Sequence, residues 1–338
     1  NAPVSHPSVS QLMAEHRRSW MRHMAARDVR IFDAQVLNGL RQGTAFFASA
    51  TMLATGGVLA LIGNADKLID VAEAVDAKIF ELGGVPAFPV NLSLNEVAAH
   101  YTPAPGDDKV AEGILKVDLG VAVDGFIADT AFSVDLTEDG EYKEMIELNE
   151  KILSDVTEIV KPGVLAKDVG DKVQDTLEEW NSEKDSSFAV IKSLSGHALG
   201  KDSIHAGLTI SNYRNENGAE LDGAFAIEPF VTTGVGDIYE GPTGGIYVLQ
   251  SDENVRDRDA REVLKFIKET FVTRPFCLRF LVGEFDMSLN KLKLILKGMV
   301  KRGILHEYPM LIEKSKGPVS QAENTFVIRD DSVVCTTG

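Results

Sequence analysis

From residue 66 onward the apolar positions of the chain keep two different periods. In "DKLIDVAEAVDAKIFELGG" (66–84) they recur every three or four residues and end at a glycine pair, the pattern of an amphipathic helix with its stop. The same spacing predicts helices near 141–160 and 166–180, separated by the breaker "KPG". Strand-like runs follow in "FAVIKSLSG" (188–196), "GAFAIEPFVTTG" (223–234) and "GGIYVLQ" (244–250). The texture changes again over 256–316. "REVLKFIKETF" and "LNKLKLILKGMVKRGI" read as two amphipathic helices, followed by a short apolar segment. This predicts a compact helical insert with a wing-like hairpin. The last run, "NTFVIRDDSVVCTT", reads as a hairpin turned at Asp330-Asp331. The class is α/β, with α+β character.

The first sixty-odd residues read differently. "EHRRSWMRHMAARDVR" (15–30) is basic, and "QGTAFFASATMLATGGVLALIGNA" (42–65) contains no charged side chain. At a rise of 1.5 Å per residue, such a run is long enough to cross a hydrocarbon core of about 30 Å. The basic flank predicts a cytoplasmic N-terminus. The competing reading is a buried helix rich in Ala and Gly. A signal peptide is excluded by the long basic region and the late start of the apolar run.

One hairpin carries unusual chemistry. "LKVDLGVAVDGFIADTAFSV" (115–134) contains a preferred two-residue turn, Asp124-Gly125. Opposed residues then have numbers summing to 249, so Asp118 faces Ala131 and Gly120 faces Asp129. The two aspartates share a face as diagonal neighbours, about 7–8 Å apart at the backbone. Two carboxylates converging on a half-buried face repel one another unless cations lie between them, and two divalent ions about 3.5–4 Å apart fit that gap. Further donors stand in similar apolar settings: Glu228 in "AFAIEPFV", Glu323 in "VSQAENTFVI" and His197 in "LSGHALG". Singly, each has a plainer explanation, such as a bulge aspartate, a paired glutamate or a satisfied core histidine. Together, with the hairpin parity, they favour a carboxylate-rich centre for two divalent metals, Mn, Fe, Co or Zn. His100 in "NEVAAHYTP" and His205 in "DSIHAG" suit substrate-facing work.

Composition narrows the partners. Of 338 residues 44% are hydrophobic and 25% charged, as in globular domains. The net charge of −17 argues against nucleic acid, which needs a basic face. Cys277 and Cys335 are the only cysteines and form no metal or disulfide pattern. That fits a reducing, cytoplasmic location, with membrane attachment through 42–65 if that run inserts.

The segments "GGVPAFPVNLSLNEVAAHYTP", "LKVDLGVAVDGFIADTA", "LSGHALGKDSIHAG", "FAIEPF" and "AENTFVI" resemble, in order and spacing, those of methionine aminopeptidases. The resemblance spans about 68–338. The insert before "AENTFVI" is similar to that of the type 2 enzymes, close to the archaeal form. It implies a pita-bread fold, a catalytic domain over 66–338 with its insert at about 256–316, and a separate N-terminal segment, 1–65. It implies that Asp118, Asp129, His197, Glu228 and Glu323 are metal ligands, with Asp129 and Glu323 bridging. The implied activity is removal of N-terminal methionine before a small second residue, by attack of a metal-bridging hydroxide. Glu228 would carry the proton, His205 would bond the scissile carbonyl, and His100 would face the substrate amide. Phe88 and Ile204 would line the methionine pocket. The implied partners are N-termini of peptides and of nascent proteins near the ribosome, and the implied state is a monomer. Two rivals share the fold: an X-Pro dipeptidase or creatinase-like hydrolase, and a non-catalytic binding scaffold.

The chain departs from that pattern in two places. Asn324 stands where the family usually has His, and the first helix and strand of the catalytic domain are replaced. In their place, "RHMAARDVRIFDAQVLNGLRQGTAFFASATMLATGG" resembles the start of an uncharacterised bacterial inner-membrane family. The two resemblances meet near 64–68, as expected of a fusion or of a reading frame joining two genes.

Overall fold

The computed structural model describes residues 62–338. The basic stretch and almost all of the apolar run at 42–65 lie outside the described residues. Among those described, no helix is long and apolar enough to cross a membrane.

The chain begins with helix α1 (Leu68–Glu81) and strands β1 (Val85–Pro86), β2 (Asn91–Leu94) and β3 (Val97–Ala99). The long hairpin β4 (Ile114–Val123) and β5 (Phe126–Asp135) follows, then helices α2 (Lys143–Ile159) and α3 (Ala166–Lys184). Short strands come next: β6 (Ala189–Val190), β7 (Ser195–Ala198), β8 (Thr209–Ser211), β9 (Gly223–Ile227) and β10 (Phe230–Thr232). After β11 (Ile238–Leu249) come α4 (Arg258–Thr270), β12 (Phe276–Cys277) and α5 (Leu289–Lys301). The chain closes with β13 (Leu305–Glu313), β14 (Val319–Gln321), β15 (Asn324–Arg329) and β16 (Ser332–Cys335).

Local chemistry accounts for the boundaries. α1 buries Leu68, Val71, Ala72, Val75 and Ile79 on one face, and Gly83 ends it at φ 86°, a conformation with no Cβ cost in glycine. The Asp257 side chain accepts from the Ala260 amide at 2.8 Å to open α4, and Ser288 does the same for α5. In the β4–β5 hairpin Asp124 and Gly125 have φ of 52° and 86°, the left-handed pair of a type I′ turn. The pairing is that expected from the sequence, Asp118 opposite Ala131 and Gly120 opposite Asp129.

Two sheets carry the architecture. In one, β1 and β2 lie along one edge of β4 and β5 along the other. The other has the order β16-β15-β9-β7-β8. They meet where β5 passes β15, through a bridge between Ala131 and Glu323. α1 covers the first sheet, packing on Leu92, Leu115, Val117 and Leu119. α2 and α3 cover the second, over Phe225, Ile227 and Phe326. The open trough between the sheets faces away from these helices.

The structure differs from the sequence expectation in three elements. The run 188–196 is two short strands, β6 and β7, separated by turn residues. "GGIYVLQ" is the end of a longer strand, since β11 starts at Ile238. The apolar segment after α5 is no local wing. It is β13, nine residues that pair with β11 from before the insert and with β3. The alternating edge that β11 presents offers β13 far more pairing than a two-strand hairpin within the insert would.

The insert is fastened to the rest by a buried ion pair that the sequence reading did not single out. Arg279 lies 3.0 Å from Asp76 of α1, with side chains 2% and 0% exposed. It also donates to Thr102 Oγ1 and to the Pro103 carbonyl. Arg279→Met strands the Asp76 carboxylate in the core and is expected to lower the unfolding free energy by about 3–5 kcal/mol, read from urea unfolding. Lys78→Met removes only the exposed pair with Glu81 and is expected to change it by less than about 1 kcal/mol.

Candidate metal centre

The trough between the two sheets is lined by acids delivered from separate strands. Asp118 projects from the middle of β4 and Asp129 from β5. His197 comes from β7. Glu228 sits in the break between β9 and β10, where Pro229 lacks the amide a continuous strand would need. Glu323 occupies the step between β14 and β15, paired by backbone to Ala131.

These side chains converge. Ligand atoms of Asp129, His197 and Glu323 all lie within 4.8 Å of one another. His197 Nε2 is 3.5 Å from Glu228 Oε1 and 3.9 Å from Asp129 Oδ2. Asp118 is tied to Glu228 through Gln321, whose amide lies 3.5 Å from Asp118 Oδ2 and 3.5 Å from Glu228 Oε2. All five residues read from the sequence as ligands therefore face one space.

The electrostatics of that space are set by burial. The Asp118 carboxyl is pushed up to about 7 by desolvation, partly offset by Gln321. Asp129, Glu228 and Glu323 rise well above the usual carboxylate range, from burial first and then from one another's charge. His197 is lowered to about 3 by burial and by His205. Four acids and a neutral imidazole thus point their lone pairs at one another. Asp118 Oδ1, Asp129 Oδ1 and Glu323 Oε1 are buried with no hydrogen-bond partner. Such acceptors without donors, in a hard oxygen-rich set with one imidazole, fit divalent cations of the Mn, Fe, Co or Zn kind.

The other sequence candidates ring this space. His205 lies on the loop between β7 and β8, solvent-accessible, its ring edge-on to His197 at 4.5 Å between centroids. Burial of its neighbourhood lowers its pKa. His100 ends β3 in a left-handed conformation, φ 68°, and is lowered to about 4 by burial and by His205. Phe88 and Ile204 belong to one buried apolar cluster with Ala122, Ile127 and Leu199. A Cβ on Gly120 would lie 2.4 Å from the Phe88 ring, so that glycine makes room for the ring.

Sequence reasoning missed three contributors. Gln321 precedes Glu323 by two positions on an extended segment, and that parity was the available signal. Thr325 exchanges hydrogen bonds with the backbone of Asp129, receiving from its amide and donating to its carbonyl, each at 2.8 Å. Tyr308 of β13 meets His100 edge-on at 5.2 Å, and nothing in its local sequence marks it. Asn324 accepts from Thr337 Oγ1 at 3.0 Å, anchoring the segment after β16.

Comparison with known proteins agrees with this layout. Residues 1–81 match a family described as "Protein of unknown function, DUF599". The chain is 43% identical over 275 residues to the methionine aminopeptidase of Pyrococcus horikoshii, covering 80% of this chain and 90% of that protein. The solved structure of a thermophilic Arx1 superposes with a TM-score of 0.70 at 16% identity, covering 86% of this chain and 88% of the other. Methionine aminopeptidase from Rickettsia prowazekii superposes with a TM-score of 0.59 at 18% identity, covering 89% and 97%. These solved structures share the fold, the mixed α/β pita-bread arrangement of two sheets around a crevice.

A pH dependence follows. The metal-free folded state keeps protons on carboxyls that titrate near 3.9 (Asp) and 4.3 (Glu) when unfolded. Those carboxyls bind more protons folded than unfolded, so their share of the stability falls as pH rises. His100 and His197, lowered to about 4 and about 3, oppose this up to about pH 6.5. Asp118 contributes its share of that loss between about pH 4 and its folded value of about 7. Calorimetry of chelator-treated protein is expected to give a Tm that declines from about pH 7 to pH 8, where the histidines are largely neutral in both states. The Tm gain on adding Mn(II) is expected to grow over the same range, because the ion occupies the deprotonated set.

Proposed function

The chain belongs to the methionine aminopeptidase family, and from that premise we propose that it hydrolyses the first peptide bond of peptides and nascent proteins, releasing N-terminal methionine where the second residue is small. The observation that carries this reading is the convergence of four buried carboxylates and one histidine at the seam of two sheets. In this reading residues 66–338 form the catalytic domain, with 256–316 as its insert, of the type 2 kind. Residues 1–65 are read from sequence as a separate segment, and the match to the uncharacterised family runs on through α1 to residue 81.

Asp118, Asp129, His197, Glu228 and Glu323 would hold two divalent ions. When bound, such ions supply Lewis-acid polarisation and bring the pKa of water towards neutrality. The chain's own groups do the rest. Gln321 holds Asp118 and Glu228 in register, and Thr325 holds the backbone of Asp129. Glu228, beside His197 and Gln321, takes the proton released on attack and returns it to the leaving amine.

Burial holds His100 at about 4, so it is neutral at pH 7, and desolvation lowers His205 as well. A neutral imidazole keeps one N–H to donate and adds no positive charge beside the cations. His205 donates to the scissile carbonyl oxygen, where negative charge grows in the transition state. His100 orients the substrate amide. The methionine side chain packs between Phe88 and Ile204, in an apolar cluster suited to a thioether.

The test is release of free methionine from Met-Ala-Ser by the full chain in Mn(II) or Co(II). Asp118→Asn is expected to abolish it together with metal stoichiometry. His205→Ala is expected to lower kcat about 10²–10³-fold with metal retained, as for a lost oxyanion donor. Folded, metal-loaded wild type that leaves Met-Ala-Ser intact overturns the assignment, and cleavage of an X-Pro dipeptide instead moves it to the rival hydrolase.

A further inference from the structure

The two walls of the proposed methionine pocket are held by one side chain that belongs to neither. Arg274 lies in the insert, between α4 and β12. Its Nη1 donates to the Pro86 carbonyl at 3.2 Å and its Nη2 to the Thr270 carbonyl at 3.0 Å. Its Nε is 3.2 Å from Asp202 Oδ1, with the two side chains 11% and 22% exposed. Pro86 is two residues before Phe88, and Asp202 is two before Ile204 and three before His205.

Asp202 is itself gripped from two sides. Its amide donates to the Gly125 carbonyl in the β4–β5 turn at 2.7 Å. Its carbonyl accepts from Thr273 Oγ1, the residue before Arg274, at 2.5 Å. It holds a left-handed φ of 54°, and a Cβ on Gly125 would come within 2.6 Å of its carboxylate.

We propose that Asp202 and Arg274 are positioning residues that clamp the loop bearing Ile204 and His205 against the segment bearing Phe88, so that the insert sets the width of the methionine pocket. The proposal rests on the peptidase reading above. Burying a guanidinium costs desolvation, and directional bonds offset that cost. Here hydrogen bonds reach the Pro86 segment and the end of α4, and an ion pair reaches Asp202. An apolar side chain could fill the volume but would fix none of their distances, and the planar fork of arginine does.

The experiment compares the full-length, Mn(II)-loaded wild type with Asp202→Asn, Arg274→Met and Arg274→Lys. KM and kcat are measured for Met-Ala-Ser and Leu-Ala-Ser, with metal content beside them. Loss of the clamp is expected to raise KM for Met-Ala-Ser about tenfold and to cut the preference for Met over Leu by a similar factor, the scale of a misplaced pocket wall. Metal content is expected to stay within about twofold, because the clamp touches no ligand, and kcat to fall by less than in His205→Ala, since the loop keeps that residue. Arg274→Lys, which keeps the charge but not the fork, is expected to fall between wild type and Arg274→Met. Wild-type KM and wild-type Met/Leu preference in the folded variants overturn the proposal. So does a parallel loss of kcat, metal and binding, which marks a merely structural role. If Arg274→Met does not fold, Asp202→Asn decides, since it is isosteric and keeps both backbone bonds of residue 202. An inactive wild type instead overturns the peptidase reading, and with it the pocket on which the clamp rests.

Discussion

Mutual repulsion among Asp118, Asp129, Glu228 and Glu323 is the constraint around which the rest of the structure is arranged. Burial raises the pKa of all four carboxyls, neighbouring charge raises Asp129, Glu228 and Glu323 further, and buried oxygens of Asp118, Asp129 and Glu323 are left without donors. No packing of apolar side chains relieves that, so the fold must hold the acids in place by other means. It does so through backbone. Asp118 and Asp129 are locked by the hairpin register, Glu323 by its bridge to Ala131, and Glu228 by the break at Pro229. The strain is local and polar, while the helices that carry the hydrophobic cores stay on the far faces of both sheets.

This division separates the parts by task. α2 and α3 stabilise the sheet of β9 and β15, and α1 stabilises the sheet of β4. The insert has its own core, centred on Phe271, Phe276 and Phe280, yet it is not a free module. Arg279 ties it to α1 and Arg274 ties it to the trough. A single short stretch, residues 273–280, therefore connects the insert both to the support of the first sheet and to the rim of the site.

What could be read in the sequence was what depends on short-range periodicity. The type I′ turn at Asp124-Gly125 fixed the parity of Asp118 and Asp129, and that pairing is found residue for residue. The four acids and the histidine stood out because charges are rare in apolar runs. The helices were readable to within a few residues, since their apolar faces are long. The misses have a common physical cause. The destination of β13, the pairing of Asp76 with Arg279 and the reach of Arg274 to Pro86 are all long-range contacts. Their partners lie far apart in sequence, and no local pattern encodes who meets whom. Gln321 and Thr325 are ordinary strand residues until Asp118 and Asp129 are laid beside them.

The seam between β5 and β15 also sets an order of events in the life of the chain. The hydrogen bond from the Asp129 amide to Thr325 spans 196 residues of sequence. Closing so long a loop is entropically unfavourable and kinetically slow compared with forming the β4–β5 hairpin, which needs only a turn. During synthesis the first two acids can be in register while their counterparts have not yet been translated. The cation site therefore cannot be complete before Glu323 has been added to the chain. A protein that acts on the beginnings of other chains is itself incompetent until ribosomes have delivered the far side of its own seam.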